Sequence, residues 1–175
     1  KLFLTAVTAS AAAVIIGYDA GFIGGTVSLA SFQDEFGFAQ MSSSERTLIL
    51  SNVVSVFQAG AFWGAIFMYP IGELLGRKIG LLISGFLLTF GAAISLVSNH
   101  DRGLGAIYAG RVITGLGIGG CSGLAPIYVS EISPVAIRGR LIGCWEVSWQ
   151  VGGIIGYWIN YGVLQNIPAS RKQWI

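Results

Sequence analysis

The chain has 175 residues, of which 54% are hydrophobic and only 10% charged, with a mean hydropathy of +0.73. A water-soluble domain would not hold so few charges, so the composition points to a membrane protein. The formal net charge of +2 comes with no basic run of the kind that binds nucleic acid, and glycine, at 26 residues, is too abundant for a soluble helical bundle but suits membrane helices whose backbones approach closely.

Windows of about 20 apolar residues predict an all-α chain with five transmembrane helices, over about residues 3–25, 48–69, 79–97, 104–129 and 141–164. The first, Phe3–Gly25, runs on past the length of a signal-peptide core and shows no persuasive cleavage site, so it reads as a span. Asp19 lies within it, on the same helical side as Phe22, Ile23 and Thr26. A long polar connection, Thr26–Thr47, carries Asp34, Glu35 and Glu45. The second span, Leu48–Tyr69, aligns Ser51, Ser55 and Gln58, and a short basic loop, Pro70–Lys78, leads to the third, Ile79–Val97. Asn99–Gly103 reads as a tight turn holding a solvated His100.

The fourth span, Leu104–Val129, contains Arg111 and places Gly115, Gly119 and Gly123 at intervals of four, a packing seam beside a face with Thr114, Ser122 and Pro126. Gly115–Gly120 matches G-x-G-x-x-G, but dinucleotide binding requires a preceding strand and an acid about 20 positions on, and these glycines sit in the middle of a membrane-length apolar run. After the short loop Ser130–Arg140, the fifth span, Leu141–Leu164, turns Glu146, Gln150, Gly153, Tyr157 and Tyr161 to one side and Ser148, Gly152 and Gly156 to the other. Outside the spans, Lys1, Arg77, Lys78, Arg138 and Arg140 fall on one side of the membrane, against Arg46, Arg102, Arg171 and Lys172 on the other, which favours a cytoplasmic N-terminus.

Asp19 and Arg111 are the informative pair. A lone charge at mid-membrane costs about 2.5–3.5 kcal/mol on insertion scales, so an acid and a base on separate spans are expected to neutralise each other or to line an aqueous path. Gln150 and Asn160 have two readings, as hydrogen bonds between helices or as contacts to substrate hydroxyls; Tyr157 and Tyr161 fit a polyol-binding wall. Cys121 and Cys144 read as small core residues. No Ser-His-Asp, metal-ligand or phosphate-loop constellation is present in the sequence, so neither an enzyme nor a cofactor is expected.

Gly17-Tyr18-Asp19-Ala20-Gly21, Gly76-Arg77-Lys78, Gly110-Arg111 and the run from Tyr128 through Glu131, Pro134 and Arg138 to Arg140 resemble the sugar porter family of the major facilitator superfamily. Cys144-Trp145-Glu146 through Trp149-Gln150 to Trp158-Ile159-Asn160-Tyr161-Gly162 is most similar to its fungal quinate and hexose branch. The resemblance implies the N-terminal six-helix half of a twelve-helix transporter, cut before its sixth helix, with the C-terminal half missing from the chain. It implies proton-coupled symport of a sugar or polyol-like solute, a hexose or quinate, by alternating access in the plasma membrane. A facilitative carrier and a non-transporting nutrient sensor are the alternatives. Asp19 and Arg111 would couple the proton, and Gln150, with Phe22, Tyr157 and Asn160, would meet the substrate. Glu73, Arg77, Lys78, Glu131 and Arg138 would latch the cytoplasmic gate. One departure is plain: the loop after the second span usually carries Asp-Arg, and Glu73-Leu74 stands there instead.

Overall fold

Each of the five apolar windows becomes a helix, and most of the helix ends run past the window's limits. The computed structural model describes residues 2–27, 42–96 and 104–167. These contain α1 (Leu2–Val27), α2 (Ser43–Leu74), α3 (Arg77–Leu96), α4 (Gly105–Ile132) and α5 (Arg138–Asn166). Hydropathy marks where the chain is apolar, whereas a helix continues for as long as its backbone can close hydrogen bonds and find a cap. Thus α2 begins at Ser43, before Leu48, because Ser42 closes a capping box. The Ser42 Oγ accepts from the Glu45 N–H at 3.3 Å and Glu45 Oε2 accepts from the Ser42 N–H at 3.0 Å.

The same effect shortens the loops. Gly76, at φ +97°, makes the left-handed turn that a β-carbon resists, and α3 starts at the next residue. The expected loop Pro70–Lys78 therefore contracts to Leu75 and Gly76. The expected loop Ser130–Arg140 contracts to residues 133–137, held by the Pro134 carbonyl, which accepts from the N–H groups of Ile137 (3.1 Å) and Arg138 (3.0 Å). Val97, the turn at Asn99–Gly103 with His100, and the loop acids Asp34 and Glu35 lie outside the described residues.

The helices are sided in the opposite sense to those of a soluble bundle. Large apolar side chains such as Phe62, Trp63, Phe67, Leu82 and Phe86 are exposed, while Gly60, Gly64, Ser84, Gly91 and Thr114 are buried. Hydroxyls close onto their own helices: Ser84 donates to the Gly80 carbonyl (2.9 Å), Ser95 to Gly91 (3.1 Å) and Thr114 to Gly110 (2.8 Å). Such closure satisfies the hydroxyls within their own helices, as hydrocarbon requires. By length and composition, α2, α3 and α4 can each cross a membrane. In α5, Glu146, Gln150, Asn160, Gln165 and Asn166 dilute the apolar character of a 29-residue helix.

The chain divides into two units. One holds α2, α3 and α4 as far as Leu124. In it the glycines of α4 serve two neighbours. Towards α2, a β-carbon on Gly60 would lie 2.6 Å from the Val112 carbonyl oxygen, and one on Gly115 3.0 Å from the Ala61 nitrogen. Towards α3, a β-carbon on Gly117 would lie 2.5 Å from the Leu88 nitrogen, and one on Gly91 2.5 Å from the Thr114 nitrogen. Gly123 does not continue the seam, for a β-carbon there meets nothing within 4 Å. A spacing of four drifts by about 40° per step around an α-helix, which carries the stripe off the α2 contact.

The other unit holds α1, α5 and α4 from Ala125. Here α1 and α5 pack side by side in the same direction: Val14 abuts Gly152, Gly17 abuts Trp149, Gly21 abuts Gly153 and Gly25 abuts Asn160. A β-carbon on Gly21 would stand 2.5 Å from the Gly153 carbonyl oxygen, and one on Gly156 2.8 Å from that of Tyr18. Gly153, expected on the polar side of α5, therefore belongs to the seam. A parallel pair alternates steps of three and four residues, and Trp149, Gly153, Gly156 and Asn160 follow that rhythm. Of the two cysteines expected in the core, Cys121 is buried but Cys144 is exposed, since it precedes the buried Trp145 by about 100° of helix rotation.

These contacts fix an outcome for glycine replacement. Gly21→Leu and Gly152→Leu in the full-length protein should each destabilise it by about 1–3 kcal/mol or more and lower the yield from membranes. Gly123→Ala should match wild type in thermal unfolding and yield.

Candidate functional site

Two sets of polar side chains stand out, one in each unit. In the α1–α5 unit, Asp19 is half-buried on α1. Beside it the Tyr18 and Phe22 rings stack, with centroids 5.4 Å apart and planes inclined by 20°. Phe22 is also tied through its backbone, because Asn160 Nδ2 donates to the Phe22 carbonyl at 2.7 Å and to the Gly156 carbonyl at 3.4 Å. Of the two readings of Asn160, the bond that braces helices is the one this geometry displays. Gln150 stands off the seam and is exposed, as are Glu146, Tyr157 and Tyr161. The tryptophans divide: Trp145 is buried against Trp149, edge to face at 5.8 Å, while Trp158 is exposed and meets Tyr161 edge-on at 5.9 Å.

In the other unit, Arg111 of α4 is only 6% exposed, and its guanidinium carbon lies 5.7 Å from the centroid of the Phe57 ring on α2. That is within the range of a cation–π contact, which gains strength when desolvated. Among the described residues of this unit, the only acids are Glu45 and Glu73, near the two ends of α2. At 1.5 Å per residue they stand roughly 18 and 24 Å along the helix from Phe57. Ser51, Ser55 and Gln58 are all exposed on α2.

The residues expected at the gate are likewise divided. Glu73 Oε1 and Arg77 Nη2 are 3.5 Å apart across the α2–α3 turn, with Arg77 the more shielded partner, and Lys78 is exposed beside them. Such an i,i+4 pair contributes little by itself, about 0.3–0.5 kcal/mol. Glu131 and Arg138 are exposed in the other unit, on either side of the turn at residues 133–137. Among the described residues, no group of three or more His, Cys, Asp or Glu side chains is placed to hold a metal ion.

Sequence reasoning missed two features. The Gly17, Gly21, Gly25 stripe on α1 was visible as an interval of four. Phe57 left no signal, because one aromatic residue in an apolar span resembles any other until the fold places Arg111 over it.

Long described helices with outward apolar side chains, backbones in glycine contact and a buried cation mark a multi-pass membrane protein. Residues 4–175 match the family described as Sugar (and other) transporter, and the chain belongs to that family. It is 54% identical over all of its 175 residues to probable quinate permeases of Aspergillus flavus and Aspergillus oryzae, covering 33% of each. It is 51% identical to the quinate permease of Emericella nidulans, covering 32% of it. The chain thus spans about a third of the length of these curated relatives. In structure it is similar to an inward-open xylose transporter of E. coli, with a TM-score of 0.83 and 24% identity over 99% of this chain and 43% of that one. A D-xylose–proton symporter gives the same TM-score of 0.83 at 23% identity, again over 99% of this chain and 43% of that one. The fold is that of the major facilitator sugar transporters.

The Asn160 bond has a measurable weight. Asn160→Ala should lower stability by about 0.6–1.7 kcal/mol, the range of a hydrogen bond between membrane helices, whereas Gln150→Ala should leave thermal unfolding unchanged.

Proposed function

We propose that this chain forms the N-terminal part of a twelve-helix transporter of the plasma membrane that carries a sugar or polyol-like solute, a hexose or quinate, together with a proton. The observation that carries this reading is Arg111, a guanidinium buried at membrane depth on α4. Asp19 is the candidate counter-ion, on a register argument. Consecutive spans cross in alternating sense, so the end of α1 and the start of α4 reach the same side of the membrane. Asp19 lies about 12 Å before the end of α1, and Arg111 about 9 Å after the start of α4. Glu146, about 12 Å after the start of α5, belongs at the depth of the opposite side.

The chemistry is then a charge switch. Ionised Asp19 attracts Arg111; a proton on Asp19 removes that attraction and changes which of two conformations is favoured. The solute would meet the exposed face of α5, where Gln150 both donates and accepts hydrogen bonds and Tyr157 offers a ring and a hydroxyl. Phe22, held from behind by Asn160, would contribute from α1. Glu131 and Arg138, together with Glu73, Arg77 and Lys78, would form the latch that opens and closes on the cytoplasmic side. The quinate permease relatives support a cyclic polyol acid or a sugar of similar size.

Asp19→Asn in the full-length protein tests the coupling, because asparagine keeps size and hydrogen bonding but cannot change charge. It should abolish pH-driven accumulation of solute while leaving exchange across the membrane measurable. Accumulation that persists would leave a facilitative carrier, in which Asp19 and Arg111 only brace the fold. For the substrate, Gln150→Ala should weaken binding about 3- to 30-fold, the loss of one hydrogen bond plus an unpaired hydroxyl. Unchanged affinity in a direct binding assay would remove Gln150 from the site.

A further inference from the structure

The Phe57 ring lies beneath the one charge that the coupling scheme cannot discharge. Arginine stays protonated, so Arg111 remains a cation whatever the state of its acid. When the acid is ionised, the guanidinium has a counter-charge. When the acid carries a proton, the cation must be stabilised some other way inside a region that excludes water. Its guanidinium carbon stands 5.7 Å from the Phe57 ring centroid, and Arg111 is 6% exposed, so the ring face acts on a cation with little solvent to compete.

The described ionisable side chains of α2, α3 and α4 are placed as follows. On α2 the nearest ones are Glu45 and Arg46 towards one end and Tyr69 and Glu73 towards the other; on α3 they are Arg77 and Lys78 in its first turn. On α4 itself, Tyr108 stands one turn before Arg111, and Cys121, Tyr128 and Glu131 follow more than two turns later. The contact also occurs where the backbones of α2 and α4 approach closely. The Phe57 carbonyl lies where a β-carbon on Gly115 would go, and the Val112 carbonyl is 2.6 Å from where one on Gly60 would go. The ring therefore has a fixed height against α4.

We propose that Phe57 is a positioning residue for proton coupling: its ring face stabilises Arg111 in the proton-loaded state, when the carboxylate no longer does. This rests on the coupling role proposed for Asp19 and Arg111. It follows that removing the aromatic face raises the cost of the proton-loaded state more than that of the ionised pair. The pH profile of transport should then move to more acidic values.

The test is uptake of radiolabelled quinate by the full-length protein in proteoliposomes, measured against pH, with exchange at equilibrium measured alongside. Phe57→Leu should require about three- to tenfold more protons for half-maximal uptake, with exchange retained. Phe57→Tyr keeps the ring face and should follow the wild-type profile. Phe57→Met, unbranched and adaptable, should shift as leucine does and replaces it if leucine assembles poorly. A wild-type profile in the folded aliphatic variants, or an equal shift in Phe57→Tyr, overturns the proposal for Phe57 while leaving the coupling reading intact. A wild-type protein whose uptake ignores pH removes the coupling reading, and the role of Phe57 falls with it.

Discussion

Close approach of helix backbones is the constraint on which the structure depends. In hydrocarbon there is no hydrophobic gain from pressing one apolar helix against another, so association relies on contact area, dispersion and the hydrogen bonds that short distances allow. Glycine provides the distance. At Gly21 against Gly153, and at Gly60 against Val112, a single β-carbon would enter the space of the neighbouring carbonyl. The large side chains are displaced to the outside, where Phe62, Trp63 and Phe86 meet an apolar solvent at no cost.

Close packing also decides which polar groups remain available. Hydroxyls at the seams turn back onto their own helices, as Ser84 and Thr114 do, and Asn160 uses its amide to tie α5 to the Phe22 carbonyl. Side chains left off the seams, Gln150 and Tyr157 above all, remain exposed on α5. With one face given to packing and the other to polar groups, α5 is less apolar than α2, α3 or α4.

The intramembrane charges follow a different logic. Arg111 cannot lose its proton, so the protein supplies its environment through position: burial on α4, an aromatic face from α2, and acids kept to the ends of that helix. Glu73 and Arg77, by contrast, meet in an exposed turn, where attraction is weak and reversible.

The sequence by itself determined the helices and their rough limits, the membrane environment, the family and the two charges within the spans. The helices, the membrane environment and the charges are written in composition and local periodicity, and the family in the resemblance of short motifs; all survive without knowledge of any neighbour. It placed several helix ends too far inwards; capping by Ser42 and the left-handed turn at Gly76, for example, set helix limits beyond the apolar windows. It also assigned Gly153, Gly123 and Cys144 to the wrong surroundings. Which face of a helix is a seam depends on the crossing partner, and a helical wheel drawn for α5 alone cannot show that α1 runs parallel to it and takes up both Gly152 and Gly153. Only tertiary structure could set Phe57 beneath Arg111, since the two are brought together by the packing of α2 on α4 and by nothing in either segment alone.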